Sequence, residues 1–273
     1  MIRFCVNNAR STKTVIGILY FVFTFNNGWA QLQNENSGKW VFGLGITFNQ
    51  SSVIDKNFSS LAYSGNSFGI NSLISYKEKY FEQELGLGYN TNFLTNAYKN
   101  NLNESYLYLN YSGLFGLSNP SKTEFKFLAG PSLSFIYDAR KYEGFVNNNN
   151  TFEFASSLGA AIEARCGINK LFKGLSINNR LTMPFVSFVE QPAYGIEGFL
   201  SNSDNQGTTV KNENGILGPK KFFRMTNTLS MHKNLPQHHK IILAYNVDFY
   251  KISTAREVKK NNNSLSLLYC YIL

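Results

Sequence analysis

The chain has 273 residues, with 26 Lys+Arg against 17 Asp+Glu and a formal charge of +9; 43% of residues are hydrophobic, 15% aromatic and 16% charged. That many rings with so little charge exclude a disordered chain. A mean hydropathy of -0.21 excludes a bundle of membrane helices, but not a membrane barrel, whose strands alternate apolar and polar residues. Three cysteines without a CxxC or a Cys/His cluster exclude a disulfide scaffold and a zinc site.

Residues 1–14 carry Arg3, Arg10 and Lys13 and no acid. An apolar run from Val15 to Phe25 and the small-residue pattern Gly28-Trp29-Ala30 follow. This order is that of a secretory signal peptide over 1–30, cleaved after Ala30. A membrane anchor would need about 20 apolar residues, and the run is shorter. Cys5 precedes the run, which argues against a lipoprotein. Removal of the three cations leaves a balance near +6, with basic residues scattered, so nucleic acid is not an expected partner. Cys166 and Cys270 could pair in an oxidising compartment, but two free buried thiols are expected.

From residue 40 onward the recurring period is two, the mark of strands with unlike faces. Trp40, Phe42, Leu44, Ile46 and Phe48 share one face, and Val41, Gly43, Gly45, Thr47 and Asn49 the other. The pattern returns in 80–92, 124–138, 151–166, 174–186 and 239–251, and less cleanly in 67–77, 104–117, 220–232 and 263–273. These make about ten strands, within a range of eight to twelve. The turns near 77–79, 118–123, 167–173 and 233–238 are short. The links 50–66, 93–103, 139–150, 187–219 and 252–262 are long and rich in Asn, Ser and Gly.

Strands of roughly 10–14 residues suffice for the 9–11 that cross a bilayer at a tilt, whereas soluble strands average about 5–6. Short and long connections alternate as short periplasmic turns and long extracellular loops do. The expected fold is therefore all-β, a closed antiparallel transmembrane β-barrel over 31–273 in a bacterial outer membrane. A secreted β-sandwich or soluble barrel is the alternative; it would show shorter strands and more even turns.

Leu265, Leu267, Tyr269 and Tyr271 alternate up to the terminal Leu273. This resembles the last-strand signal of bacterial outer-membrane barrels, which usually ends in Phe or Trp. Together with the signal peptide and the strands rich in Asn, Tyr and Phe, it resembles the Bacteroidota-type outer-membrane β-barrel domain proteins, including the PorT-like group. The resemblance covers 31–273 in pattern, without a short motif. It implies an outer-membrane location, a narrow or pore-less barrel, outer-membrane lipid as surroundings, and the barrel assembly machinery as a partner during insertion.

With the apolar face toward lipid, Glu82, Glu84, Glu153, Glu163 and Asp248 point inward with Lys126, Arg165, Arg180, Arg224 and Lys240. Buried charges must be paired, so an interior plug of salt bridges is expected, with Glu163 or Glu153 on Arg180. The alternative is a polar conduit or ligand site. His232, His238 and His239 all flank one short turn and are expected to be solvated. No His lies near a long loop, which disfavours a surface Ser-His hydrolase. A hydrolase built on carboxylates such as Glu82, Glu84 or Asp138 remains a weaker alternative. No metal or cofactor is expected. In the longest link, Pro192, Tyr194 and Phe199 are candidates for contact with the barrel mouth or a partner. The expected role is non-enzymatic: envelope assembly, secretion or surface contact with an envelope partner. An enzyme on lipid or peptide and a small-solute channel are the alternatives.

Overall fold

The computed structural model describes residues 38–56, 59–78, 80–117, 125–143, 150–168, 172–191, 213–254 and 257–273. The signal-peptide segment lies outside the described residues, as do Pro192, Tyr194 and Phe199. The described residues form one up-and-down barrel. Its strands are β1 (Lys39–Asp55), β2 (Ser59–Lys77), β3 (Phe81–Thr95), β4 (Asn101–Gly116), β5 (Phe125–Tyr142), β6 (Asn150–Gly167), β7 (Leu175–Gln191), β8 (Glu213–Leu217), β9 (Phe222–Asn234), β10 (His239–Ile252) and β11 (Val258–Ile272).

Every pairing is antiparallel between neighbours. The β1–β11 pair (Phe42 opposite Tyr271) and the β6–β7 pair (Glu163 opposite Arg180) complete the ring. The wall has ten strands, because β8 and β9 share one place. β7 pairs β9 over Leu175–Thr182 and β8 over Ser187–Gln191. A closed wall leaves no unpaired backbone edge toward lipid, which is what lets strands cross a bilayer.

Two polarity regimes divide the wall. Trp40, Phe42, Leu44, Ile46 and Phe48 on β1 are exposed outward, and the inward positions Thr47 and Asn49 are buried. On β5 this outward apolar run continues from Phe125 to Tyr137. At about 3.3 Å per residue and a tilt near 40° it rises about 30 Å, the height of a lipid core. Beyond it the pattern inverts. Val53, Tyr63, Leu94, Leu102 and Tyr142 turn inward and pack as one buried cluster, while Ser64, Asn101, Lys141 and other polar residues face out. The wall is thus a membrane barrel at the end holding Lys39 and Ile272, the near end. At the opposite, far end it becomes a barrel of soluble type.

That inversion corrects the expected connections. The links foreseen over 50–66, 93–103, 139–150 and 252–262 shrink to 56–58, 96–100, 143–149 and 253–257, because the hydrogen-bond ladder runs past the apolar belt. The link foreseen over 187–219 shortens as well, to 192–212, because β7 runs on to Gln191 and β8 (Glu213–Leu217) lies within the foreseen span. The Asn- and Ser-rich stretches are strands whose outer face meets water. At the near end, expected and observed strand boundaries lie within a few residues.

Candidate functional site: the barrel interior

Inward residues form two ion-pair layers with a polar chamber between them. The near layer joins β2, β3, β6 and β7. Arg165 grips Glu82 with both terminal nitrogens, at 2.6 and 2.9 Å, and turns its Nε to Glu163 Oε1 at 3.1 Å. Arg180 donates from Nε to Glu163 Oε2 at 2.7 Å and pairs with Glu84 through Nη1 and Nη2. Lys77 adds a 3.0 Å contact to Glu82. Two-pronged guanidinium–carboxylate contacts are strong and fix geometry. Of the two partners foreseen for Arg180, Glu163 is bonded to it and Glu153 is not.

The far layer is centred on Arg140, whose side chain is fully buried. Its Nη2 lies 2.8 Å from Asp138 Oδ2, from Glu153 Oε2 and from the Tyr250 hydroxyl. Its Nε reaches Glu104 at 3.3 Å and its Nη1 reaches Asp55 at 3.4 Å. Lys260 stands 2.9 Å from both Glu104 and Asp138, with its ammonium 3.7 Å from the Tyr106 ring centre. These groups come from β1, β4, β5, β6, β10 and β11, so the contacts tie the wall across its lumen. Beside them Arg224 clamps Asp248 at 2.9 and 2.8 Å, and Tyr106 donates to Asp248 at 3.0 Å.

Between the layers lies a chamber of about 200 Å³, lined largely by Asn, Ser, Thr and Tyr, among them Asn49, Asn90, Asn178, Thr228 and Tyr108. The two layers seal it unequally. Near-layer side chains other than Glu163 keep 15–25% of their surface exposed, whereas Arg140, Glu104, Asp138 and Lys260 keep at most 1%.

Several candidates take other positions. Lys126 is exposed at the near rim and Lys240 is buried opposite Cys270, and neither makes an ion pair among the described residues. His232 is a correction. It faces the chamber rather than solvent, with Nε2 2.8 Å from Ser230 Oγ and 3.3 Å from Asn178 Nδ2. His239 stacks on Tyr269 with centroids 5.4 Å apart. Cys270 is a buried free thiol, while Cys166 is free but only half-buried.

Sequence reasoning passed over Asp55, Arg140 and Lys260, because each fell in a stretch read as loop. The signal was present: Asp138, Arg140 and Tyr142 continue the period-two inward face of β5 past the belt. Among the described residues no group of three or more His, Cys, Asp or Glu forms a metal cage.

No protein-family model matches the chain, and no curated protein is similar to it in sequence. Solved structures with a similar course include the outer membrane protease OmpT from Escherichia coli, at 10% identity over 88% of this chain and 97% of that one, TM-score 0.49. The translocator domain of the autotransporter NalP from Neisseria meningitidis matches at 9% identity over 95% and 97%, TM-score 0.44. Neisserial surface protein A matches at 9% over 84% and 96%, TM-score 0.37. The pairing around the ring and the outward apolar belt make the chain a closed, antiparallel, ten-stranded transmembrane β-barrel with its interior crossed by ion pairs.

Proposed function

We propose that this protein is a plugged barrel of a bacterial outer membrane, of the Bacteroidota type that its strands resemble, acting without turnover in envelope assembly, secretion or surface contact. The observation that carries the reading is the far layer. Arg140, fully buried, meets four carboxylates from four strands, so the lumen is crossed by charge-assisted bonds rather than left open. Buried ions whose partners occupy them have no free valence for a passing solute. The parts that can meet a partner are then the rims, such as the exposed Tyr98 in the hairpin tip between β3 and β4.

Two measurements test this. In planar bilayers the purified barrel shows no steady conductance, and Arg140→Ala opens one. A photo-crosslinking residue at position 98 captures a discrete envelope protein in cells. Conductance by the wild type together with no adduct refutes the reading. It would favour a narrow solute conduit, for which the polar chamber is the one supporting feature.

A further inference from the structure

The outer surface of the far end carries a charge arrangement that the plug does not explain. Lys251 on β10 stands directly opposite Lys259 on β11, both on the outward face. Directly opposed residues bring their Cβ atoms to about 4.5–5.5 Å, and like charges there are destabilising. The surroundings add to the excess. Lys220 and Lys221 are exposed in the turn entering β9, where the Lys221 carbonyl accepts from Ser253 N just past β10. Lys56, at the end of β1, is half exposed. The one acid among them in the described residues is Glu257, which lies 3.1 Å from Lys56 and 3.0 Å from Lys259. Lys220, Lys221 and Lys251 have no acidic partner among the described residues.

The patch also sits at a particular height. Lys251 is opposite Phe223 on β9, and the Phe223 and Phe249 rings lie 6.1 Å apart just below it. Beneath them Tyr245 and Leu265 face outward in the apolar belt. Lys251 therefore stands one outward position past the last ring of β10, whereas on β11 the outward Asn263 and Asn261 separate Lys259 from Leu265, so the pair lies above the acyl-chain edge, on the headgroup side. The collar is not uniformly basic. On the β4–β5 side Glu143 is held by Asn101 and Asn103, at 3.0 and 2.8 Å.

We propose that the lysine patch of β9, β10, β11 and the end of β1 is a docking site for the phosphate headgroup of an anionic lipid in the leaflet at the far end. The apolar belt below takes the acyl chains, and Lys251 and Lys259 converge on the headgroup. An anion between them turns a repulsive cross-strand pair into two favourable contacts.

The test uses the full, folded chain in mixed detergent micelles that hold equal amounts of dioleoyl phosphatidic acid and dioleoyl phosphatidylcholine. Retained lipid is counted by native mass spectrometry. The wild type keeps phosphatidic acid in preference. A lysine near an anionic surface changes affinity by roughly fivefold, so Lys251→Gln with Lys259→Gln together lower retention by roughly twenty-five-fold. Lys126→Gln, at the near rim, leaves it unchanged. A heat-dependent gel shift in each variant shows that the barrel is folded. Equal retention of the two lipids overturns the proposal, as does retention unchanged in the double variant. Full displacement by excess inorganic phosphate also overturns it, because that result marks a site for a free anion rather than for lipid.

Discussion

Replacing Arg140 with methionine keeps much of the side-chain volume and removes the charge. Glu104 and Asp138 would then keep Lys260, while Asp55 and Glu153 would lose their contacts to Arg140. Breaking a buried pair by removing one partner costs about 3–5 kcal/mol, because the remaining charge is uncompensated. With a urea slope of about 1–3 kcal/mol/M, the unfolding midpoint falls by roughly 1–5 M. Arg165→Met at the near end is the control. Its side chain and that of Glu82 each keep 15% of their surface exposed, so water screens the remaining charge and the loss is smaller. Both are read from Trp40 fluorescence and from the heat-dependent gel shift across a urea series. An Arg140→Met midpoint equal to that of the wild type, or above that of Arg165→Met, would refute the claim that the far layer holds the lumen shut.

Three further outcomes follow from the same geometry. Leu267 on β11 faces lipid, so Leu267→Arg costs about 2–4 kcal/mol, whereas Asn261→Arg on the same face beyond the belt costs about 0–1 kcal/mol; equal losses in folding titrations would misplace the belt edge. Gly159 sits at the bulge of the β6–β7 pair, where an added Cβ would fall 2.1 Å from the Met183 carbonyl oxygen, so Gly159→Val prevents closure and abolishes the folded band on unheated gels. Glu257, in the far-end turn before β11, is held at about 2 rather than the ordinary 4.5 by hydrogen bonds from Lys259 and Lys56. A lowered folded value stabilises the fold above the unfolded pKa, and that contribution disappears as pH falls through about 2. Carboxyl NMR should show Glu257 titrating there, and Lys56→Gln with Lys259→Gln should return it toward 4.5; titration near 4.5 in the wild type would rule out the ion pairs.

The number of strands, their near-end boundaries and the residues facing lipid were legible in the sequence. In a bilayer one-residue alternation has a single stable reading: the apolar face must meet acyl chains and the polar face must turn to the lumen. Beyond the belt the same alternation carries no unique sign. Asn and Ser next to an inward Tyr or Leu read as loop, although Tyr63, Leu102 and Tyr142 pack inside a continuing wall. That is why Asp55, Arg140 and Lys260 escaped notice while Glu82, Glu84, Glu163, Arg165 and Arg180 did not.

What the sequence determined by itself was local: which way each side chain points within a membrane strand, because that depends on the pleat and the solvent alone. Partnership was decided only by the tertiary structure. Arg140 and Tyr250 are 110 residues apart and meet at 2.8 Å because closure of the ring sets β5 across the lumen from β10. The Lys251–Lys259 pair is set more locally, because the single connection between β10 and β11 fixes the register that places two cations opposite each other. Alternation sets direction, but ring closure and register set distance, and ion pairs depend on distance.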